Sequence, residues 1–261
     1  MFNNLKVDEQ NSKMHHVGDI DLARKIFLKE KFNNLNYLLN KRFTWMNQYI
    51  KPNSKTIELG SGAGFSELFI ESEILMTDIY KKEWINQVVD INKLEIDLKN
   101  TDQIILSHVI HHIAKPVLFL KSLSQKLDKG NKIIIQEIYT SVFCKLLLFL
   151  KKHEGWDDDI EIFNINEFCN DPTNPWSANC SIPKLLFNKE NFEKNFSELK
   201  ILHFQLNEVL IFPLSGGVIA KTKIPEIDTR ILRIVDSFDK FLIKLFPKLF
   251  ACGISVVLEK Q

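Results

Sequence analysis

Three histidines lie close together in the segment LSHVIHHIAKP: His108, His111 and His112. The ordinary pKa of imidazole lies near neutral pH, so such a cluster can supply a general base, and neutral imidazoles also bind zinc and similar ions. A third interpretation is structural, because polar residues at the end of a buried strand can brace a loop. The predicted strands and helices around the cluster indicate which of these three roles the histidines have.

A glycine-rich turn, ELGSGAGF, joins a strand predicted over residues 55–59 to a helix predicted from about Ser66. Such a unit directs backbone N–H groups and a helix N-terminus to the sheet edge where nucleotides bind. The dinucleotide fingerprint G-x-G-x-x-G requires glycine at position 65, which is Phe65 here. Glu58 would also repel a pyrophosphate, whereas it suits a ligand with ammonium and sulfonium groups. S-adenosylmethionine is such a ligand, and a nicotinamide-dependent oxidoreductase is disfavoured.

Strands and helices are predicted to alternate over the first half of the chain. Apolar positions at steps of three and four across residues 20–50 predict one or two amphipathic helices. Another helix is predicted over 116–127, and a helical region over 228–249. Further strands are predicted at 73–80, 88–90, 102–110, 131–138, 201–212 and 253–260. This alternation predicts an α/β fold with a Rossmann-like, doubly wound, mostly parallel seven-stranded sheet, N-terminal helices and an α-helical cap insertion.

A chain of 261 residues is long enough for one sizeable domain and short for two with linkers. We therefore predict a single domain over residues 1–261. Its predicted parts are N-terminal helices (1–53), a cofactor-binding core (54–140), the cap insertion (141–200) and the final strands (201–261) with a helical insertion (213–250).

Composition excludes several classes of function. A formal net charge of +1 gives no general argument for nucleic acid as a partner. The four cysteines lack the close spacing of zinc sites, and they are too few for a disulfide framework. The polar N-terminus predicts no signal peptide, and no apolar run approaches the ~20 residues of a spanning helix. These features predict a cytoplasmic protein; its oligomeric state is left open.

Five segments between residues 55 and 138 resemble, in order, the motifs of class I (Rossmann-like) S-adenosylmethionine-dependent methyltransferases: TIELGSGAGF, MTDIY, VVDIN, QIILSHVIHHIAKP and LDKGNKIIIQE. The resemblance implies the same cofactor. The implied contacts are to its methionine portion (Glu58, Gly60, Ser61, Gly62, Gly64), its ribose (Asp78, Ile79), its adenine (Asp90, Ile91) and its sulfonium (Ser107, His108). One departure is Asn131, which replaces a glycine of the usual turn before the fifth strand.

The resemblance also places the histidines beside the transferable methyl group. His111 or His112 is then the candidate base for the methyl acceptor, and the other one is expected to brace the loop. One ubiquinone-pathway branch of the family binds a divalent cation at this place through the motif E-x-x-E-H, where this chain has H-x-x-H-H. No carboxylate adjoins the histidines in the sequence, so no metal is predicted.

The cap insertion is the candidate acceptor site. Tryptophans among aspartates and asparagines suit a sugar or another polyol, although they can equally form a small core of the cap itself. The candidate acceptor contacts are His112, Trp156, Trp176 and Asn179. The stretches NPWSAN, IPKLLF and PLSGG also resemble, more weakly, methyltransferases of bacterial surface-polysaccharide and glycolipid pathways.

The sequence thus predicts an enzyme that moves a methyl group to a small polar acceptor, in particular a hydroxyl of a sugar or glycan intermediate in polysaccharide biosynthesis. The alternatives are another small metabolite or a lipid as acceptor, or a non-catalytic binding subunit that keeps the fold.

Residues 230–249 mix leucine, isoleucine and phenylalanine with five basic residues. Such a helix can lie on a membrane surface. Packing against the domain is the favoured interpretation, and a peripheral membrane contact is left open.

Overall fold

The computed structural model of the protein describes residues 4–5, 20–30, 32–151, 154–219, 222 and 224–261. The predictions made for residues 1–3 and 6–19, namely the polar leader without a signal peptide and the start of the N-terminal segment, lie outside the described residues.

A seven-stranded sheet organises the described structure. The strands of the chain are β1 (Asn4–Leu5), β2 (Thr56–Leu59), β3 (Ile74–Asp78), β4 (Gln87–Val88), β5 (Gln103–Ser107), β6 (Lys132–Ile138), β7 (Trp156–Asp157), β8 (Leu199–Asn207) and β9 (Gly253–Lys260). The large sheet has the order β4-β3-β2-β5-β6-β9-β8, and β1 pairs with β7 in a separate ribbon. Within the large sheet, β9 runs antiparallel to β6 and β8, and the other pairs are parallel. The predicted fold class is confirmed.

The helices flank this sheet. They are α1 (Ile20–Glu30), α2 (Asn33–Phe43), α3 (Pro116–Gln125), α4 (Val142–Lys151), α5 (Ile182–Leu186), α6 (Lys189–Asn195), α7 (Ile211–Leu214), α8 (Thr229–Leu245) and α9 (Pro247–Phe250). Short 3₁₀ helices cover Thr44–Gln48, Phe65–Leu68 and Ile110–His112. Among the described helices, none combines the length and the hydropathy needed to cross a membrane.

The helix predicted from about Ser66 is replaced by the 3₁₀ helix Phe65–Leu68. Only nine residues separate Gly64 from the start of β3 at Ile74. That is too few for a full helix and a return to the sheet, because a complete crossover takes a dozen or more residues.

The centre of the sheet is buried on both faces, as the continuous apolar runs predict. Alternate residues point to opposite faces of a strand, so Ile104 and Ile105 of β5 belong to two different core clusters. Ile133 and Ile134 of β6 divide between the same two clusters. This two-sided core holds the C-terminal ends of β2, β3 and β5 in fixed positions beside one another.

The cap is helical only at its two ends. Residues 158–178, all of which are described, form turns and bends without a regular helix. Four side chains in or next to this segment accept a hydrogen bond from the backbone N–H two residues further on: Asp157, Asn164, Asp171 and Asn174. Such local bonds compete with helical hydrogen bonding, which is why the expected α-helical cap is largely irregular.

Candidate active site

A cavity of about 620 Å³ lies at the C-terminal ends of β2, β3 and β5. Most of the residues that the sequence singled out line it. They are Glu58, Gly60, Ser61, Gly62, Asp78, Ile79, Asp90, Ile91, Ser107, His108, His111, His112 and Trp176. Gly64, Trp156 and Asn179 are not among its lining residues.

The glycine turn forms one wall of the cavity. Gly60 has φ +75°, and a Cβ there would lie 2.5 Å from Cγ2 of Val109, so only glycine fits. Gly62 has φ +52° and no heavy atom within 4 Å of an added Cβ, which leaves space for a ligand beside its backbone. The N–H of Gly62 donates to Oδ2 of Asp78 at 2.8 Å. The turn and the acidic end of β3 are therefore held together.

Gly64 supports the turn from behind. A Cβ at Gly64 would lie 2.5 Å from Cδ1 of Trp84, so this glycine permits close packing and is not a wall of the cavity. Arg24 of α1 donates to the carbonyls of Ala63 at 2.7 Å and Gly64 at 2.9 Å. Its guanidinium also lies 4.6 Å from the centre of the Trp84 ring. These contacts could not be predicted from the sequence, because Arg24, Ala63 and Trp84 lie far apart along the chain.

Glu58 is a buried carboxyl at the base of the turn, with 2% of its surface exposed. Burial raises the pKa of Glu58 to about 7. The hydroxyl of Ser66 donates to Oε2 of Glu58 at 2.5 Å, and this hydrogen bond lowers the pKa by less than burial raises it. A nearby cation would favour the ionised form. The cavity therefore presents a group suited to an ammonium or sulfonium ligand.

Asp78 and Asp90 lie at successive strand ends in the same cavity. Asp78 accepts from the N–H of Tyr80 at 3.3 Å, and Asp90 accepts from the N–H of Asn92 at 3.0 Å. Both carboxylates are thus turn residues, and both also face the cavity. Their remaining acceptor capacity suits hydroxyl and amino groups of a nucleoside.

His111 is held between two carboxylates. Its Nδ1 lies 2.6 Å from Oε2 of Glu137, and its Nε2 lies 3.6 Å from Oε2 of Glu154. Burial alone would lower the pKa of His111, but the charges of Glu137 and Glu154 outweigh it and raise the pKa to about 10. His111 is therefore an imidazolium at neutral pH and cannot accept a proton. Of the two expected roles, this environment favours that of loop brace over that of base.

His112 has the opposite electrostatic environment. Burial, and then the charge of His111 at a ring-centre distance of 4.1 Å, lower the pKa of His112 to about 4. Its Nδ1 lies 3.0 Å from the carbonyl oxygen of Ser177, an acceptor only, so Nδ1 carries the proton and donates. The Nε2 lone pair is consequently available, 3.9 Å from Oε1 of Glu154. Between the two histidines, His112 is the candidate base.

His108 has an unusual backbone conformation and a buried side chain. Its φ is +54°, and its N–H donates to the carbonyl of Gln136 at 2.8 Å. Burial and the nearby Arg42 hold the pKa of His108 well below its usual range. Its Nε2 is buried without a hydrogen-bond partner within the described part of the chain. His108 thus contributes a neutral ring to the cavity wall.

Sequence reasoning missed several residues of the cavity. Glu154 lines it, and Glu137 lies beneath His111. Arg42 of α2 also lines it, in a buried two-point ion pair with Glu208 at 2.8 and 2.7 Å. A signal existed for Glu137, because an acid inside the apolar strand IIIQEI must be paired. No signal identified Glu154 or the Arg42 partner.

A metal site was not predicted, since the sequence has no carboxylate beside the histidines. The fold changes that premise, because Glu154 approaches both rings. One donor atom each of His111, His112 and Glu154 lie within 4.8 Å of one another. A metal ion would have to displace the proton shared between His111 and its carboxylates, so we expect a proton and no metal there.

This expectation can be tested directly. We expect methyl transfer to be unchanged after dialysis of the protein against a chelator. Lost activity that Zn²⁺ restores would contradict it and would assign the three side chains as metal ligands.

Two of the predicted acceptor contacts do not reach the cavity. The Trp156 ring is 1% exposed and belongs to the small core formed by α4 and Cys180. Asn179 is buried, and its side-chain oxygen Oδ1 accepts from the backbone N–H of Asp157 at 2.9 Å. This corrects the expectation of direct contact, because both residues stabilise the cap. Trp176 is 44% exposed and does line the cavity.

The strand order, the single reversed strand β9 and the glycine turn after β2 define the fold of S-adenosylmethionine-dependent methyltransferases. Among solved structures, the chain is similar to a SAM dependent methyltransferase from Archaeoglobus fulgidus, with 17% identity, a TM-score of 0.52 and coverage of 90% of this chain and 99% of that chain. It is also similar to coclaurine N-methyltransferase, with 12% identity, a TM-score of 0.49 and coverage of 86% and 70%. The first of these shows the fold.

No family model matches the chain, and no curated protein matches it. The weaker resemblance to polysaccharide and glycolipid methyltransferases has no support from these comparisons and stays a prediction.

Proposed function

We propose that the protein is an S-adenosylmethionine-dependent methyltransferase whose acceptor is a hydroxyl of a sugar or glycan intermediate. The observation that carries the proposal is one cavity lined by two chemically different sets of residues. The first set is acidic and suits the cofactor, and the second contains an unprotonated imidazole.

The residues of the first set fit the cofactor. Glu58 would hold its cationic methionine portion, Asp78 its ribose hydroxyls and Asp90 its adenine amino group. The open space beside Gly62 would admit the ligand against the turn. The cation Arg42 is neutralised by Glu208 and adds no net repulsion. When bound, S-adenosylmethionine supplies an electrophilic methyl group on a sulfonium.

The residues of the second set act on the acceptor. Nε2 of His112 accepts the proton of the acceptor hydroxyl, and the nearby carboxylate of Glu154 stabilises the resulting charge. His111, fixed by Glu137, keeps the loop rigid beside it. The exposed ring of Trp176 supplies an apolar platform of the kind that suits a sugar face.

Replacement of Asp78 tests the cofactor site. The Asp78→Ala variant should bind S-adenosylhomocysteine about 10- to 100-fold more weakly in calorimetric titration, because it loses hydrogen bonds to a charged acceptor. Asp97→Ala is the matched control, since Asp97 also accepts the N–H two residues further on but is exposed and lies outside the cavity lining. Unchanged affinity in Asp78→Ala, or binding of NAD in its place, would overturn the assignment. Tight cofactor binding with no methyl transfer to any acceptor would favour a non-catalytic subunit.

Cofactor affinity should depend on pH through Glu58. Its pKa of about 7 in the free protein means that a proton must leave before the cationic ligand binds at lower pH. Affinity should therefore rise with pH up to about 7, and fall by up to about tenfold for each pH unit below it. Glu58→Gln should bind more weakly and lose this dependence. A wild-type affinity that stays constant between pH 5.5 and pH 7.5 would contradict the role of Glu58.

A further inference from the structure

The surface of α8 carries an apolar stripe that no described residue covers. Its five large apolar side chains are between 49% and 70% exposed. They are Ile231, Ile234, Phe238, Phe241 and Leu245. At 3.6 residues per turn, they share an arc of only about 80° of the helix surface. The expected packing against the domain is made by the opposite side of the helix, around Leu232.

The stripe continues onto two neighbouring helices. Phe250 of α9 packs beside Phe143 of α4, with ring centres 6.4 Å apart. The additional exposed residues are Phe246 and Leu249 near and in α9, and Val142, Leu146, Phe149 and Leu150 of α4. We call these residues, together with the α8 stripe, the apolar face. Contiguous apolar surfaces of this kind mark interaction sites.

The exposed charges within α8 and α9 have one sign. The exposed charged residues of α8 and α9 are Arg230, Arg233, Lys240, Lys244 and Lys248. The two acids within α8 are buried: Asp236 pairs with Lys41 and, at 3.0 Å, with Lys240, and Asp239 accepts three backbone N–H groups. Helix α4 contains no acid and ends in Lys151.

An apolar face flanked by basic residues complements an anionic lipid surface. A twofold contact with a second copy would instead pair this face with itself and bring no acidic partner to the basic row. The charge pattern therefore favours lipid over a second copy.

The apolar face and the cavity share one residue, Leu150. Leu150 is 65% exposed and also lines the cavity, as do Leu147 and Lys151 of the same helix. The cavity thus opens at the edge of the apolar face. A membrane held there would lie next to the opening through which an acceptor reaches His112.

The geometry points to a peripheral membrane protein whose apolar face lies on an anionic bilayer and whose acceptor is lipid-linked, with its polar head group entering the cavity. The identity of the acceptor rests on the proposed function, whereas the membrane contact does not.

Vesicle sedimentation tests the membrane contact. The full chain should bind vesicles of equal phosphatidylglycerol and phosphatidylcholine, and bind phosphatidylcholine alone much more weakly. Lys244→Gln with Lys248→Gln should lower binding to the anionic vesicles about 30-fold. Phe238→Ser with Phe241→Ser should lower it at least about tenfold. The matched control is Phe168→Ser with Phe204→Ser, since these phenylalanines are 57% and 46% exposed but lie off the apolar face.

Three results would overturn the membrane contact. They are no binding to anionic vesicles, equal binding to both kinds of vesicle, or a concentration-dependent dimer that Phe238→Ser with Phe241→Ser abolishes while vesicles are not bound. The same double variant should still bind S-adenosylhomocysteine normally. Failure of the wild-type chain to bind it would count against the proposed function and leave the vesicle result standing.

Dodecyl glucoside and glucose serve as probes of the acceptor class. The wild-type protein should show a higher kcat/KM for the alkyl glycoside, and Phe238→Ser with Phe241→Ser should reduce that preference. Equal kcat/KM for the two probes would overturn the lipid-linked acceptor.

Discussion

The His112→Asn variant should lose about 10²- to 10⁴-fold in kcat, while its affinity for S-adenosylhomocysteine stays unchanged. Asparagine keeps an N–H donor for the carbonyl of Ser177, which His112 contacts through Nδ1 at 3.0 Å. It lacks the basic Nε2 that faces Glu154. The loss therefore reports proton transfer from the acceptor and not collapse of the loop. A kcat close to that of the wild type would remove His112 from the mechanism.

The pH dependence of kcat separates the two histidines. With a pKa of about 4, His112 is unprotonated throughout the neutral range, so it adds no rise in kcat between pH 5.5 and pH 8. If His111 were the base, kcat would keep rising towards its pKa of about 10, because only the deprotonated form accepts a proton. The profile of the wild-type enzyme, measured with saturating cofactor and acceptor, distinguishes these cases.

The sheet and the acidic part of the cavity lining could be predicted from the sequence because those features depend on local patterns. The glycine turn has to sit between a strand and the following segment, and Asp78 and Asp90 have to fall at strand ends. The carboxyl ends of neighbouring parallel strands then meet at one edge by geometry alone. The cavity contains these residues, as the order of the motifs predicts.

The surroundings of the histidines could not be predicted from the sequence because they depend on how the cap folds back onto the sheet. Glu154 follows α4 in the chain and approaches His111 and His112 in space. No fixed sequence spacing relates it to the two histidines. Trp156 and Trp176 have similar local surroundings, yet one is buried in the cap core and the other lines the cavity. Aspartate and asparagine turns decide which way each ring points, and such turns leave no periodic signal.

Helix α8 shows a different limit of prediction from sequence periodicity. Its periodicity predicts an amphipathic helix, and that prediction assumes a single apolar side that faces the core. The helix has two such sides, because Leu232 packs inward while Phe238 and Phe241 stay exposed. Only the packing of α8 on the domain shows which apolar residues are left over.

The Glu137→Gln variant should be less stable than the wild type by about 3–5 kcal/mol at neutral pH. Glu137 is fully buried and accepts from Nδ1 of His111 at 2.6 Å and from the N–H groups of Val109 and Ile110 at 2.7 and 2.5 Å. Glutamine has nearly the same shape but no charge, so the buried imidazolium loses its main partner. Urea unfolding at pH 7 measures the effect. Glu154→Gln should lower the free energy of unfolding by less, because Glu154 is partly exposed and lies 3.6 Å from His111.

The pH dependence of the same unfolding free energy identifies the cause. The pKa of His111 is about 10 in the folded protein and near 6.5 when unfolded, so the folded state holds an extra proton between these values. The stabilisation is complete below about pH 6.5 and declines as the pH rises towards 10. Glu137→Gln should flatten this decline, since the pair that raises the pKa is gone. A variant that unfolds at the same urea concentration as the wild type at pH 7 would mean that His111 is uncharged there, and His111 would then compete with His112 for the role of base.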